Sequence, residues 1–231
     1  MSSITFEPPI AGSAHSLYES PLTQRYASKE MGAIWSPAMK FGTWRRLWLA
    51  LATAQKELGI DISDEQIAQM AANLELDEED FDVAAAKEKE LRHDVMAHIH
   101  AFGARCPAAM PIIHLGATSM YVNDNTDLVI LRQALTLVHR RLLRLIQGLR
   151  GFCDAQKATP TLGFTHYQPA QLVTIGKRAS LWLQDFAIDE KMLARTIADL
   201  PFRGTVGTTG EFSLFTVIFY ANPAHNLTRS P

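Results

Sequence analysis

Three short runs of this sequence hold groups that could move a proton or grip an anion. The first is TLGFTHYQPAQ, from Thr161 to Gln171, which joins two long helical patterns. A connector of this kind needs only a few polar residues. This one sets His166 among Thr165, Tyr167 and Gln168, with Pro169 to stiffen it. At neutral pH an imidazole can give or take a proton, and a stiff polar loop can fix which nitrogen does so. A histidine simply satisfied within its loop is the competing reading, and the loop alone leaves both open.

The second run, RHDVMAHIH, puts Arg92, His93 and Asp94 in succession on a predicted helix, with His98 and His100 beyond. Arginine can clamp a carboxylate or phosphate while the aspartate tunes the imidazole. Ordinary charge pairing on an exposed helix face is the alternative. A metal site needs its ligands on one face. The HExxH frame is absent, and no third ligand accompanies His93 and His100 at i and i+7, so no metal site is expected. The third run, HLGATSMYVNDN, is a glycine-containing turn with Thr118 and Ser119 just before a long helical pattern. Small hydroxyls near a helix start can hold an anion, although Asp124 or Asn125 could equally cap the helix. SPLTQRYAS adds Arg25 and Tyr26 on an irregular segment, a further fork for an anionic ligand. GTVGTTG, Gly204 to Gly210, lacks the lysine of a phosphate-binding loop and follows no strand, which argues against a nucleoside triphosphate.

The elements that must position these groups are helical. In FGTWRRLWLALATAQKELG, Trp44, Leu47, Trp48 and Leu51 share a face, and Gly59 is a plausible stop. Ser63 with Gln66 forms a capping-box signature. The stretch from Asp77 to Cys106 reads as a third helical region, acidic first and basic later. Leu128, Leu131, Leu135, Val138, Leu142, Leu145, Leu149 and Phe152 step by three and four, a seam for lengthwise packing. A second stripe through Ile130, Leu137 and Ile146 predicts burial on more than one side, as in a multi-helix bundle. A further helix is expected from about Gln171 to Leu200, with Leu172, Ile175, Ala179, Trp182, Phe186 and Leu193 inward. Two such rods cannot close a core alone. Strand signals are almost absent before FSLFTVIFY in the tail.

With 47% hydrophobic residues, the 231-residue chain can bury a sizeable core in one or two domains. Its net charge of -2 supplies no field for nucleic acid or an anionic membrane, and neither partner is expected. Cys106 and Cys153 stand far apart in no CxxC pattern, which suits a reducing compartment. The first twenty residues lack the layout of a signal peptide, and no apolar run reaches the length of a membrane span. A soluble cytoplasmic protein is the expectation.

Taken together, SPLTQRYAS, RHDVMAH, IIHLGATSMYVNDNTDLVILR, TPTLGFTHYQPAQ and PFRGTVGTTG closely resemble the adenylosuccinate lyases, a family of the fumarase/aspartase superfamily, in its animal and fungal branch. The resemblance runs in unbroken order over roughly residues 18–210. It implies an all-α fold: a mobile arm over 1–20, a helical N-terminal domain over 21–115, and the first long helices of a fumarase/aspartase-type bundle over 116–210. Residues 211–231 form a tail foreign to the family. The implied reaction is β-elimination of fumarate from adenylosuccinate, giving AMP, and from the succinylcarboxamide ribotide SAICAR, giving AICAR. No metal or organic cofactor is implied. The implied assembly is a homotetramer whose active sites draw on three subunits. His166 matches the general acid and His93 the second active-site histidine, with Arg92 and Asp94 flanking it. Arg25 and Tyr26 match a substrate clamp, Thr118 and Ser119 a carboxylate-binding turn, and Thr165 and Gln168 further substrate contacts. The family continues into a Ser-Ser-x-Met-Pro-x-Lys-x-Asn-Pro loop whose serine takes the carbon-bound proton. These 231 residues hold no such loop, so a truncated product with little activity alone is the expectation. The other readings are a non-catalytic module that docks on full-length subunits, and another superfamily lyase such as argininosuccinate lyase or fumarase.

Overall fold

The structure is a computed structural model in which residues 20–205 are described. The expected arm up to Glu19, the tail over 211–231 and the Gly/Thr loop beyond Thr205 lie outside the described residues. Five helices come first: α1 (Lys29–Ile34), α2 (Pro37–Glu57), α3 (Asp64–Ala72), α4 (Glu78–Leu91) and α5 (Asp94–Arg105). Their ends follow local chemistry. The Ser28 and Ser36 hydroxyls each accept a backbone N–H three residues on, both at 3.2 Å. Gly59, at φ 90°, stops α2 as expected. Its N–H donates to Lys56 O at 2.9 Å while Ile60 N–H donates to Gln55 O at 3.0 Å, the paired bonds of a Schellman stop. The Ser63–Gln66 capping box forms at α3, and Asp77 with Asp80 makes a second one at α4.

The region from Asp77 to Cys106 is two helices, not a continuous one. Arg92 adopts the left-handed conformation at φ 55° and closes α4, while His93 is extended and caps α5. The acidic-to-basic gradient therefore belongs to two separate dipoles, and the Arg-His-Asp triplet occupies the break between them.

Trp44, Leu47, Trp48 and Leu51 are all buried, as their spacing predicts, against Val95, Phe102 and Val122. Trp48 and Phe102 stack with centroids 6.0 Å apart. A buried ion pair, Arg45 Nη2 to Asp80 Oδ1 at 2.7 Å, joins α2 to the start of α4. Arg45 Nη1 also donates to Asn73 O at 2.8 Å and Glu75 O at 3.0 Å. Such a charge is tolerable inside a core only when hydrogen-bonded in this way.

The second part is a helical hairpin, α6 (Ser119–Ala155) packed along α7 (Ile175–Asp199). At 1.5 Å per residue α6 is about 54 Å long. It starts at Ser119 with Thr118 as its cap, so neither Asp124 nor Asn125 caps it. Asn125 is instead fully buried: its Oδ1 accepts from Arg203 and Gly204 N–H at 2.9 and 3.1 Å, and its Nδ2 donates to Gly204 O at 2.8 Å. The buried stripe on α6 is Ile130, Ala134 and Leu137, while Leu131, Val138, Leu145 and Phe152 of the expected seam are exposed. Trp182 is exposed too, rather than inward, and Ala179 is buried. Each helix of a hairpin covers one face of the other, α2 and α1 cover further parts of α6, and the exposed rows of both helices are left uncovered by the described residues.

The connector between the two long helices is not a plain loop. It is an antiparallel pair, β1 (Pro160–Thr165) and β2 (Gln168–Thr174), so α7 begins at Ile175 and Leu172 lies exposed on a strand. Two strands with a two-residue turn leave too little alternating apolar signal to stand out in the sequence. A bulge between Leu162 and Phe164 falls at Gly163, where a Cβ would stand 3.0 Å from Gln171 O.

Candidate functional site

At the first end of the hairpin, the α4–α5 break meets the start of α6. His93 Nδ1 accepts the Met96 N–H at 3.4 Å, and its Nε2 lies 3.3 Å from Ser119 Oγ. A ring nitrogen that accepts cannot carry the proton, so the neutral ring donates from Nε2. Asp94 Oδ1 stands 3.7 Å from His93 Nδ1 and is occupied by the Val95 N–H at 2.7 Å. Thr118 makes no side-chain capping bond, so its hydroxyl is free of the helix. Arg92, held left-handed, precedes His93 in the break, and its side chain lines a cavity with Ala85, Glu88 and Lys89 of α4. The arrangement can grip an anionic group through two hydroxyls and an imidazole N–H.

His114 belongs here too, although the sequence alone did not single it out. It sits in the left-handed region at φ 65°, just ahead of Thr118, and its Nδ1 accepts from Trp48 Nε1 at 2.9 Å. Burial, with the His93 ring adding to it, pushes its pKa down to about 4. The available signal was the turn HLGATS, where the imidazole stands four residues ahead of the first hydroxyl.

His166 lies at the opposite end. Thr165 pairs with Gln168 across the strands, so His166 and Tyr167 alone make the turn, at φ 51° and 60°. Two left-handed residues form a type I′ hairpin turn, a place that favours Asn-Gly. Thr165, His166, Tyr167 and Gln168 are all exposed and make no side-chain hydrogen bonds among the described residues. The connector is thus a two-residue hairpin turn, and no described residue orients the imidazole.

Arg25 and Tyr26 occupy a third place. They end a single π-helical turn, Leu22–Tyr26, rather than an irregular segment, and both are exposed. The adjoining α1 is tied to α6 by Arg141 and Glu30 at 2.9 Å. That tie is about 33 Å along α6 from Ser119.

The separation of the two histidines is set by the hairpin. His93 touches the first residue of α6. The base of the β-hairpin is pinned just beyond the last turn of α6, through Gly176 N–H to Gln156 O and Ile175 N–H to Thr159 O, both at 3.0 Å. A six-residue strand reaches about 20 Å. Even folded straight back, it would leave His166 more than ~30 Å from His93 along a helix of this length. No small molecule can touch both in one copy.

A second pattern marks the same places. Among the described residues, four non-glycine residues have positive φ: Arg92, His114, His166 and Tyr167. Left-handed geometry costs roughly 1–2 kcal/mol for such residues, and strain of this kind gathers at functional sites.

A family model described as Lyase matches residues 27–215. The chain belongs to this lyase family. The matched range contains the α4–α5 break, the Thr118–Ser119 turn and the His166 hairpin. Arg25 and Tyr26 fall just before it. Adenylosuccinate lyase of Schizosaccharomyces pombe is 49% identical over 208 residues, covering 90% of this chain and 43% of that protein. Adenylosuccinate lyase of Saccharomyces cerevisiae is 48% identical over 206 residues, covering 89% and 43%. The chain thus spans less than half the length of the curated relatives it matches. Among solved structures, a fumarate lyase from Mesorhizobium sp. BNC1 superposes with a TM-score of 0.70 at 26% identity, over 83% of this chain and 45% of the other. The β-carboxy-cis,cis-muconate cycloisomerase of Acinetobacter calcoaceticus, at 18% identity and a TM-score of 0.73 over 87% and 48%, shares the fold.

Proposed function

We propose that this lyase chain carries the proton-donating part of an adenylosuccinate lyase site. The substrates are adenylosuccinate and SAICAR, and fumarate is the shared product. A base takes the proton from the carbon beside a succinyl carboxylate. The C–H electron pair becomes the new C=C bond, and the C–N pair leaves with the purine nitrogen. His166 protonates that nitrogen as it departs. His93, Arg92, Asp94, Thr118 and Ser119 hold the anionic groups whose charge grows as the carbanion develops. Thr165 and Gln168 contact the substrate beside His166, and Arg25 with Tyr26 closes on it. No metal or organic cofactor takes part. The cytoplasm is the compartment.

The observation that carries this reading is near-50% identity to adenylosuccinate lyases over nine-tenths of the chain. The distance between the His166 and His93 ends supports the assembly that goes with it: a homotetramer in which each site takes its ends from different copies. The catalytic base is not among the groups identified in these residues, so the 231-residue chain alone is expected to turn over little or nothing.

The test is a chimera in which residues 20–205 replace the matching segment of the S. pombe enzyme. It is expected to release fumarate from adenylosuccinate, and His166→Gln to lower that rate by about 10²–10⁴-fold. A chimera that cleaves argininosuccinate or hydrates fumarate instead, or one indifferent to His166→Gln, overturns the proposal.

A further inference from the structure

The turn that carries Thr118 and Ser119 is gripped from one side by two buried residues of α2. Trp48 and Gln55 are seven positions apart and so lie on one face of the helix. Trp48 Nε1 donates to His114 Nδ1 at 2.9 Å, and Gln55 Nε2 donates to Leu115 O at 2.8 Å. Both contacts reach across more than fifty residues of sequence to the same turn.

The first of these bonds has only one possible polarity. An indole N–H donates and cannot accept. His114 Nδ1 must therefore be the bare nitrogen, and the single proton of the neutral ring must sit on Nε2. Nε2 bonds to no described residue and is not among the buried atoms left without a partner, so it is not sealed from the surface. His93 is the titratable group that acts on this ring, and α2 contributes only the uncharged Trp48 and Gln55. The ring is held neutral by burial and by the second imidazole.

We propose that Trp48 is a positioning residue that fixes His114 as its Nε2–H form, so that the turn beside His93 and Ser119 presents a neutral hydrogen-bond donor. That donor suits an acceptor oxygen of a carboxylate or phosphate. It adds no positive charge to the turn, and it cannot switch to accepting without losing the Trp48 bond. His114 makes the Trp48 contact from a left-handed backbone, and strain of this kind gathers at functional sites. The proposal rests on the lyase reading only for what the donor would bind. The ring state itself is read with no substrate present.

The test uses the whole 231-residue chain, labelled with nitrogen-15, near pH 7. His114→Gln identifies the ring signals by their loss. The wild-type ring is expected to show Nε2 protonated and Nδ1 bare, with a coupling across the hydrogen bond between Trp48 Nε1 and His114 Nδ1. Trp48→Phe keeps an apolar ring but removes the donor. It is expected to abolish the coupling and let the Nδ1–H tautomer appear, while burial and His93 go on holding the ring neutral. A wild-type ring protonated on Nδ1, or a wild-type chain with no coupling, overturns the proposal whatever becomes of the variant. A folded Trp48→Phe chain whose His114 stays wholly in the Nε2–H form overturns it as well. Loss of fumarate release by the chimera would leave these spectra unchanged, so the two proposals fail separately.

Discussion

Gly176→Ala should detach the His166 hairpin from its mount. Gly176 lies in the first turn of α7, where that helix crosses the end of α6. A Cβ there would stand 2.3 Å from Cys153 O, 2.7 Å from Lys157 N and 2.8 Å from Gln156 C. All three are backbone atoms, so no rotamer change relieves them. To restore ordinary contact α7 must back away by about 1 Å, which strains the Gly176 N–H to Gln156 O bond. Overpacking of this kind costs about 1–3 kcal/mol and the weakened bond about 1 more. Better helix propensity returns up to ~1. The net expectation is a loss of about 1–3 kcal/mol, a drop in melting temperature of roughly 2–12 °C for a chain of this size. Gly148→Ala is the matched control. That glycine is exposed in α6 with nothing within 4 Å of a Cβ, so alanine there should stabilise by about 0.5–1 kcal/mol. Thermal and urea unfolding of both variants decide the matter. A Gly176→Ala chain as stable as wild type, or a Gly148→Ala chain equally damaged, refutes the reasoning.

Other contacts make three further outcomes measurable. His98 is buried and stacked on Phe41 at 3.6 Å, and burial, then the nearby Arg45 charge, lower its pKa to about 4. The unfolded chain binds that proton below about pH 6.5 while the folded chain does not, so stability present above 6.5 should fall by up to ~3 kcal/mol on acidification to pH 4. His98→Phe should flatten that limb in urea titrations at pH 7, 5.5 and 4.5; a variant whose pH profile parallels wild type contradicts it. Asn125→Ala strips the segment around Arg203 and Gly204 of its anchor and should cost roughly 2–3 kcal/mol, with amide exchange accelerating at both residues. Tyr167→Gly relieves left-handed strain in the hairpin turn and should slow exchange across β1 and β2, the gain held to about 0.5–1 kcal/mol by glycine's greater freedom when unfolded.

How much of this could be read from the chain depends on where each signal lives. The α2 face was readable because four large apolar residues repeat at helical spacing and pack on local partners. The Ser63 box and the Gly59 stop were readable because each is satisfied within a few residues. The break at Arg92 was not, since a left-handed arginine has no sequence signature of its own and the charges on either side suit a helix. The seam on α6 was correctly periodic, yet much of it is exposed, because periodicity says which residues align and not what covers them. His166 was singled out from its neighbours alone. His114 was passed over because its partner Trp48 lies sixty-six residues away, a contact that only the fold brings about.

The central claim is that His166 and His93 serve one site from different copies. The direct measurement mixes two inactive chimeras, one carrying His166→Gln and the other His93→Gln, after subunit exchange. Each alone should cleave adenylosuccinate at a small fraction of the parent rate. Together they should recover toward roughly a quarter of it, the statistical share of sites that take both histidines from intact ends. A mixture no more active than its parts would contradict the account.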